Sequence, residues 1–88
     1  MSEEQDLYQS LFSSLVYTFN MTAMQQLGKV VNPITNKQEL DLEQSKLTID
    51  MLNMLSDRTK GNLSEEENQF LTQTILFLNK VFDEEIKK

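Results

Sequence analysis

The sequence predicts a mainly α, three-helix domain with a short β-hairpin between the first and second helices, completed by homo-oligomerisation. Three features favour this fold: a long uncharged segment with helical apolar spacing, a turn signal at Asn32-Pro33, and the cap signals in "GNLSEEE". A chain of 88 residues forms one domain at most, here residues 1–88, and buries only about 60 to 65% of the surface that it exposes when unfolded. Its core is therefore small.

The first predicted helix covers about residues 4–27 and contains the uncharged stretch "LYQSLFSSLVYTFNMTAMQQLG". Many Ser, Thr, Gln and Asn side chains interrupt this stretch, so it is too polar for a lipid-exposed helix and membrane insertion is not expected. Its apolar arc of about 200° is wider than the roughly 100° stripe of a one-sided surface helix. Such a helix has neighbours on two sides, and Gly28 provides its end.

The segment "KVVNPITNKQEL" predicts the β-hairpin, at about residues 29–40. Asn32-Pro33 suits the start of a type I turn, and Asn36 tolerates positive φ. A two-stranded ribbon needs support from the helices. Asp50 is a candidate anchor, accepting hydrogen bonds from Asn32, Thr35 or Lys29; alternatively, it simply pairs with Lys46, four residues earlier on the same helix.

Cap residues define the other two predicted helices, at about 41–59 and 65–86. Asp41 is a good N-cap for the second helix. Gly61 follows that helix, and Ser64 with Glu67 forms the capping-box pattern that starts the third. The run Glu65-Glu66-Glu67 suits the positive end of a helix dipole better than a metal or acid–base cluster.

All three predicted helices carry more apolar surface than one shared interior can cover. A two-fold dimer is the commonest way to remove such surface from water. We therefore expect a homodimer or a higher symmetric oligomer, joined mainly through helix 1 and one face of helix 2 or 3. The candidate oligomer interface consists of Leu11, Phe12, Leu15, Phe19 and Ala23.

Composition argues against several kinds of chemistry. The formal net charge of -6 disfavours binding to nucleic acid, which requires a basic surface. The chain has no His and no Cys, so imidazole bases, thiolate nucleophiles and the usual zinc ligands are missing. We expect no enzyme activity, no cofactor and no metal site.

The methionines have two interpretations. Thioether side chains adapt to varied shapes, so a Met-rich surface is typical of a groove for a partner helix, although these residues also suit an ordinary core. The candidate partner or ligand surface consists of Met24, Met51, Met54 and Phe77. The leading hypothesis is a non-enzymatic, self-associating module that binds or scaffolds another protein. The alternative is a carrier or sensor of a small apolar ligand, held between the helices by these residues and Phe19.

The segments "GKVVNPITNK", "DLEQSKLTIDMLNML" and "TKGNLSEEE", in this order, resemble a small bacterial family, domain of unknown function 1844, over about residues 7–82. The resemblance implies a cytoplasmic bacterial protein of helical fold and implies no activity. In that family Gly is usual at Asn36 and Ala near Ser45, with Arg near Asn79 and Tyr near Phe82.

Overall fold

Three α-helices make up the regular structure of the computed structural model, which describes residues 3–88. They are α1 (Glu3–Gln26), α2 (Leu42–Arg58) and α3 (Glu65–Ile86). This confirms the mainly α, three-helix prediction. Of the predicted domain 1–88, residues 1 and 2 lie outside the described part.

Local side-chain hydrogen bonds define the starts of α2 and α3. The Asp41 carboxylate accepts a hydrogen bond from the backbone N–H of Gln44 at 3.0 Å, which caps α2. At α3, the Glu67 N–H donates to the Ser64 hydroxyl at 3.1 Å, and the Ser64 N–H donates to the Glu67 carboxylate at 2.7 Å. The predicted capping box is therefore present.

The helices pack pairwise around a small core. α2 runs back along α1, since the Thr48 hydroxyl near the start of α2 donates to the Gln26 side chain at the end of α1 (2.7 Å). α3 runs parallel to α1, because Gln9 bonds to Glu66 near their starts and Lys29 pairs with Glu85 near their ends. The buried apolar side chains are Val16, Ala23, Leu27, Ile49, Leu52, Leu71, Ile75, Leu78 and Val81.

The connection between α1 and α2 differs from the predicted β-hairpin over residues 29–40. No β-strand occurs in residues 3–88; instead, two isolated antiparallel bridges join Leu27 to Leu40 and Asn32 to Lys37. Residues 28–31 separate the bridges on one side and only 38–39 on the other, so the segments cannot pair in continuous register. The turn itself closes as expected, with Asn36 at φ 58.

The particle is flat, with principal extents of 45 × 26 × 15 Å. Its Cα radius of gyration is 14.3 Å, compared with about 12 Å for a typical domain of this length. Its accessible surface is 6290 Å², roughly 900 Å² above the average of about 5,350 Å² for a monomer of 10.3 kDa. The chain alone thus leaves an unusually large surface in water.

Candidate interaction surfaces

The N-terminal half of α1 carries an exposed row of leucines, which we call the α1 outer face: Leu7, Leu11 and Leu15. Their spacing of four residues places them on one side of the helix. They are 56%, 55% and 44% exposed, respectively. Large apolar side chains grouped in this way on a soluble protein usually mark a contact surface.

The predicted oligomer interface divides between this outer face and the core. Leu11 and Leu15 are exposed, whereas Phe12 and Phe19 are half-buried and pack against the core cluster. Ala23 is completely buried within its own chain. A partner would therefore meet Leu11 and Leu15 directly, while Ala23 lies beyond its reach.

A second exposed apolar row, the α2 outer face, consists of Leu47, Met51 and Met54. These residues are 49%, 40% and 52% exposed. Their spacing of four and three residues is that of a helix stripe. The buried side chains of α2, such as Leu52 and Ile49, lie on the opposite side.

Acidic residues run beside the α2 outer face. Glu43, Asp50 and Asp57 recur every seventh residue and form one row along the helix, here called the acidic row. Lys46 pairs with Asp50, with 3.1 Å between Nζ and Oδ2. Within residues 3–88, Glu43 and Asp57 have no ion pair, so two carboxylates of the row are free.

The other predicted members of the partner or ligand surface lie elsewhere. Met24 is half-buried against the core, and Phe77 is 48% exposed on α3. A cleft of about 220 Å³ lies between α1 and the start of α2. The residues that line it all have polar side chains: Thr22, Gln25, Gln26, Asn32, Glu39, Asp41 and Gln44. This cleft is unsuited to the apolar ligand of the carrier hypothesis.

The candidate hairpin anchors do not meet in the structure. Asp50 bonds to Lys46, the alternative that the spacing on the helix allowed. The Asn32 side chain instead accepts a hydrogen bond from the Ile34 N–H at 2.9 Å, and Thr35 is exposed. The turn is therefore held by its own residues, in the manner of an Asx turn.

An ion pair that was not predicted joins the α1–α2 connection to α3. Lys29 pairs with Glu85, and Lys88 also donates to Glu85 at 2.9 Å. The hydrogen bond from Lys29 is the main reason that the pKa of Glu85 lies below its ordinary value, and the same bond raises the pKa of Lys29. No local sequence pattern signals a pair between residues so far apart in the chain.

Among the side chains of residues 3–88, one buried polar atom has no hydrogen-bond partner. The side-chain carbonyl Oδ1 of Asn20, on α1, lies out of solvent and accepts no hydrogen bond. Such an atom destabilises a fold by about 1–3 kcal/mol.

A family model now identifies the chain. The model for a domain of unknown function, DUF1844, matches residues 9–82. The chain belongs to the DUF1844 family. No curated protein and no solved structure matched it.

The DUF1844 match spans all three helices, and the structure accommodates the departures noted in the sequence. Asn36 adopts the positive φ for which Gly is usual. The Ser45 hydroxyl is fully buried and donates to the Leu42 carbonyl at 2.9 Å. Phe82 packs against the core, where a phenolic hydroxyl is not needed, and Asn79 is exposed.

Residues 3–88 contain neither a metal-binding cluster nor a membrane-spanning helix. In that part of the chain, no group of three or more His, Cys, Asp or Glu side chains has the arrangement that holds a metal ion. Every helix in the same range is too short or too polar to cross a lipid bilayer. The α1 outer face and the α2 outer face are therefore the candidate functional surfaces.

Proposed function

We propose that this protein is a non-enzymatic, self-associating interaction module of the bacterial cytoplasm, in which two copies pair through the α1 outer face. The observation that carries this proposal is the exposed row of Leu7, Leu11 and Leu15 on a chain with excess surface. The cytoplasmic location is proposed from the family resemblance. It does not depend on whether two copies pair.

The amount of surplus surface supports a dimer. The chain exposes roughly 900 Å² more than an average monomer of its mass. A stable protein–protein interface takes about 800 Å² from each partner. The excess exposed surface of one chain is therefore similar to the area that each partner buries in a stable interface. Apolar side chains that water surrounds in one copy would be covered by the same side chains of the other.

Charge favours an antiparallel arrangement of the two α1 helices. The first turn of α1 contains Glu3, Glu4 and Asp6, and a parallel pair would bring these acids together. Beyond Leu15, the same face continues with Thr18 and Thr22, which are uncharged. An antiparallel pair places the acidic end of one helix beside this uncharged part of the other.

The test is the mass of the protein in solution, measured by multi-angle light scattering and sedimentation equilibrium at low micromolar concentration. We expect twice the mass of one chain. The double variant Leu11→Glu/Leu15→Glu would bury like charges in the interface, so its dissociation constant should rise by at least about tenfold, which corresponds to about 1.4 kcal/mol.

The control is Leu76→Glu on α3, where the leucine is 65% exposed and lies outside both outer faces. This variant receives the same side chain and should remain a dimer. Circular dichroism of all variants verifies that the helices are retained. A monomeric wild-type protein, or equal dissociation of the control, would refute pairing through α1.

A further inference from the structure

The α2 outer face has a composition that suits a partner different from a second copy. Met51 and Met54 are exposed, unbranched side chains that adapt to the shape of a partner, and Leu47 extends the same stripe. An exposed stripe at this spacing is what an amphipathic helix of another protein packs against. The acidic row along one edge then decides which helices are accepted.

Electrostatics disfavours self-pairing through this face. If two α2 helices packed antiparallel through their outer faces, the acidic rows of both copies would lie next to each other. Glu43 and Asp57 have no cation within residues 3–88 to neutralise them, and Asp50 is already paired with Lys46. Like charges in such positions oppose association.

A parallel pair of α2 helices gives the acidic row no basic row to meet. It would set the acidic row of one copy against the opposite edge of the α2 outer face in the other. That edge lies against α1, as the hydrogen bond from Thr48 to Gln26 shows. Neither self-pairing arrangement supplies a row of positive charge; Arg58, four residues after Met54 at the end of the same stripe, is the cation that would approach the acidic row of a second copy.

We propose that the α2 outer face binds an amphipathic helix of another protein that carries a row of Lys or Arg beside its apolar stripe. The apolar stripe covers Leu47, Met51 and Met54, and the basic row meets the free carboxylates of Glu43 and Asp57. The net charge of -6 speeds the approach of such a helix. This inference rests on the proposed role as an interaction module, but not on dimerisation through α1.

The experiment measures binding of two synthetic peptides of about five helical turns by fluorescence anisotropy. Both have leucines at helical spacing; one has Lys along the edge of the stripe and the other has Glu at the same positions. We expect the wild-type protein to bind the Lys peptide about tenfold more tightly than the Glu peptide. The affinity for the Lys peptide should fall as salt is added.

Charge reversal locates the binding site. The double variant Glu43→Lys/Asp57→Lys should lose the preference for the Lys peptide, and the milder Glu43→Gln/Asp57→Asn should reduce it. The matched control, Asp83→Lys/Glu84→Lys, makes the same charge change at two exposed positions of α3 and should retain the preference. Circular dichroism shows whether each variant keeps its helices, and the neutralised variant tests the site if the reversed one unfolds.

Light scattering on the same variants separates this inference from dimerisation. Loss of the peptide preference with an unchanged mass supports the inference whether that mass is one chain or two. An unchanged preference in both α2 variants would overturn it, as would an equal loss in the α3 control. Dissociation of a dimer by the α2 variants would also overturn it, because the α2 outer face would then belong to self-association.

Discussion

In α1, the part from Val16 to Gln26 contains the buried side chains Val16 and Ala23, whereas residues 3–15 contain no buried side chain. Both parts contain large apolar side chains among polar ones, with leucines in the first part and Val, Phe and Met in the second. The difference arises from length: α1 has 24 residues and spans about 36 Å, while α2 has 17 and spans about 25 Å. The first part of α1 therefore extends past the end of α2.

Few contacts hold the exposed half in place. Gln9 donates to Glu66 at 2.8 Å and accepts from Ser64 at 3.4 Å, while Phe12 packs against the core. The buried half has Leu27 directly after it, a hydrogen bond to Thr48, and Lys29 paired with Glu85. The comparison teaches that an apolar pattern predicts which side chains are to be buried. It does not show whether the same chain or a second chain buries them.

Truncation of an exposed leucine in the first half and of the buried leucine directly after α1 should give the largest contrast. Leu27 is 1% exposed, so Leu27→Ala should lower the free energy of unfolding by about 3 kcal/mol through lost burial and the cavity left behind. Leu11 is 55% exposed, so Leu11→Ala should cost less than about 0.5 kcal/mol in the separate chain. Urea unfolding measures both free energies.

Repeating the unfolding at several protein concentrations sharpens this contrast. If α1 pairs two copies, the effect of Leu11→Ala should grow with protein concentration while that of Leu27→Ala stays constant. Equal effects of the two substitutions would contradict the difference between the halves.

Gly28 ends the buried half with φ 74, a conformation that L side chains rarely adopt. Gly28→Ala should lower the free energy of unfolding by about 1 kcal/mol, because backbone strain is the main cost. A Cβ there would lie 3.5 Å from the Glu39 carbonyl oxygen, which is ordinary contact. Gly28→Asn should cost less, since Asn tolerates this conformation, and thermal unfolding compares the two. If Gly28→Asn lowered the free energy of unfolding more than Gly28→Ala, steric crowding by the side chain and not backbone strain would be the main cost.

The exposed half should be nearly insensitive to loss of its own polar link. Gln9→Ala removes the bonds to Glu66 and Ser64, which lie at or near the surface, so the free energy of unfolding should change by less than about 0.5 kcal/mol. Hydrogen exchange of amides in residues 3–15 provides a second measurement. A decrease of more than about 1 kcal/mol in the free energy of unfolding would show that this half is as stable as the other.

The ion pair beyond the buried half should act over a defined pH range. The pKa of Glu85 is lowered from 4.5, so its contribution to stability is present above pH 4.5 and is lost as the pH falls through the lowered pKa. The pKa of Lys29 is raised from 10.5, so its contribution is present below pH 10.5 and is lost as the pH rises through the raised pKa.

Lys29→Met should therefore melt below the wild-type protein between these limits, and the difference should shrink in acid. Melting temperatures from pH 2 to 8 measure this effect. The control is Lys80→Met, because within residues 3–88 Lys80 has no ion pair and the substitution removes the same charge. A difference for Lys29→Met that persists in strong acid would show that the lysine acts through packing and not through its charge.

The parts of the structure that were predictable are those that depend on neighbours in the chain. Asp41 as the cap of α2, the Ser64 and Glu67 capping box, and the turn conformation of Asn36 each involve residues a few positions apart. The pairing of Asp50 with Lys46 was also among the local alternatives. Within residues 3–88, the paired strands expected at 29–40 are missing because their register depends on where α1 and α2 place the two ends of the connection.

The candidate surfaces were predictable only in part. Leu11, Leu15, Met51 and Met54 are exposed apolar residues in the structure, as a contact surface requires. Periodicity did not separate Leu11 and Leu15 from Ala23, which is fully buried, because all three positions lie within the one wide apolar arc of α1. Binding of a second copy by the α1 outer face and of another protein by the α2 outer face both stay predictions.

By itself, the sequence determined the helical class, the caps that end and start the helices, and membership of the DUF1844 family. Each of these depends on side chains acting on nearby backbone or on the order of residues along the chain. Only the tertiary structure decided which part of the apolar surface is covered, and it also brought Lys29 to Glu85. Packing sets these features, because the lengths and directions of neighbouring helices determine where one helix extends past another.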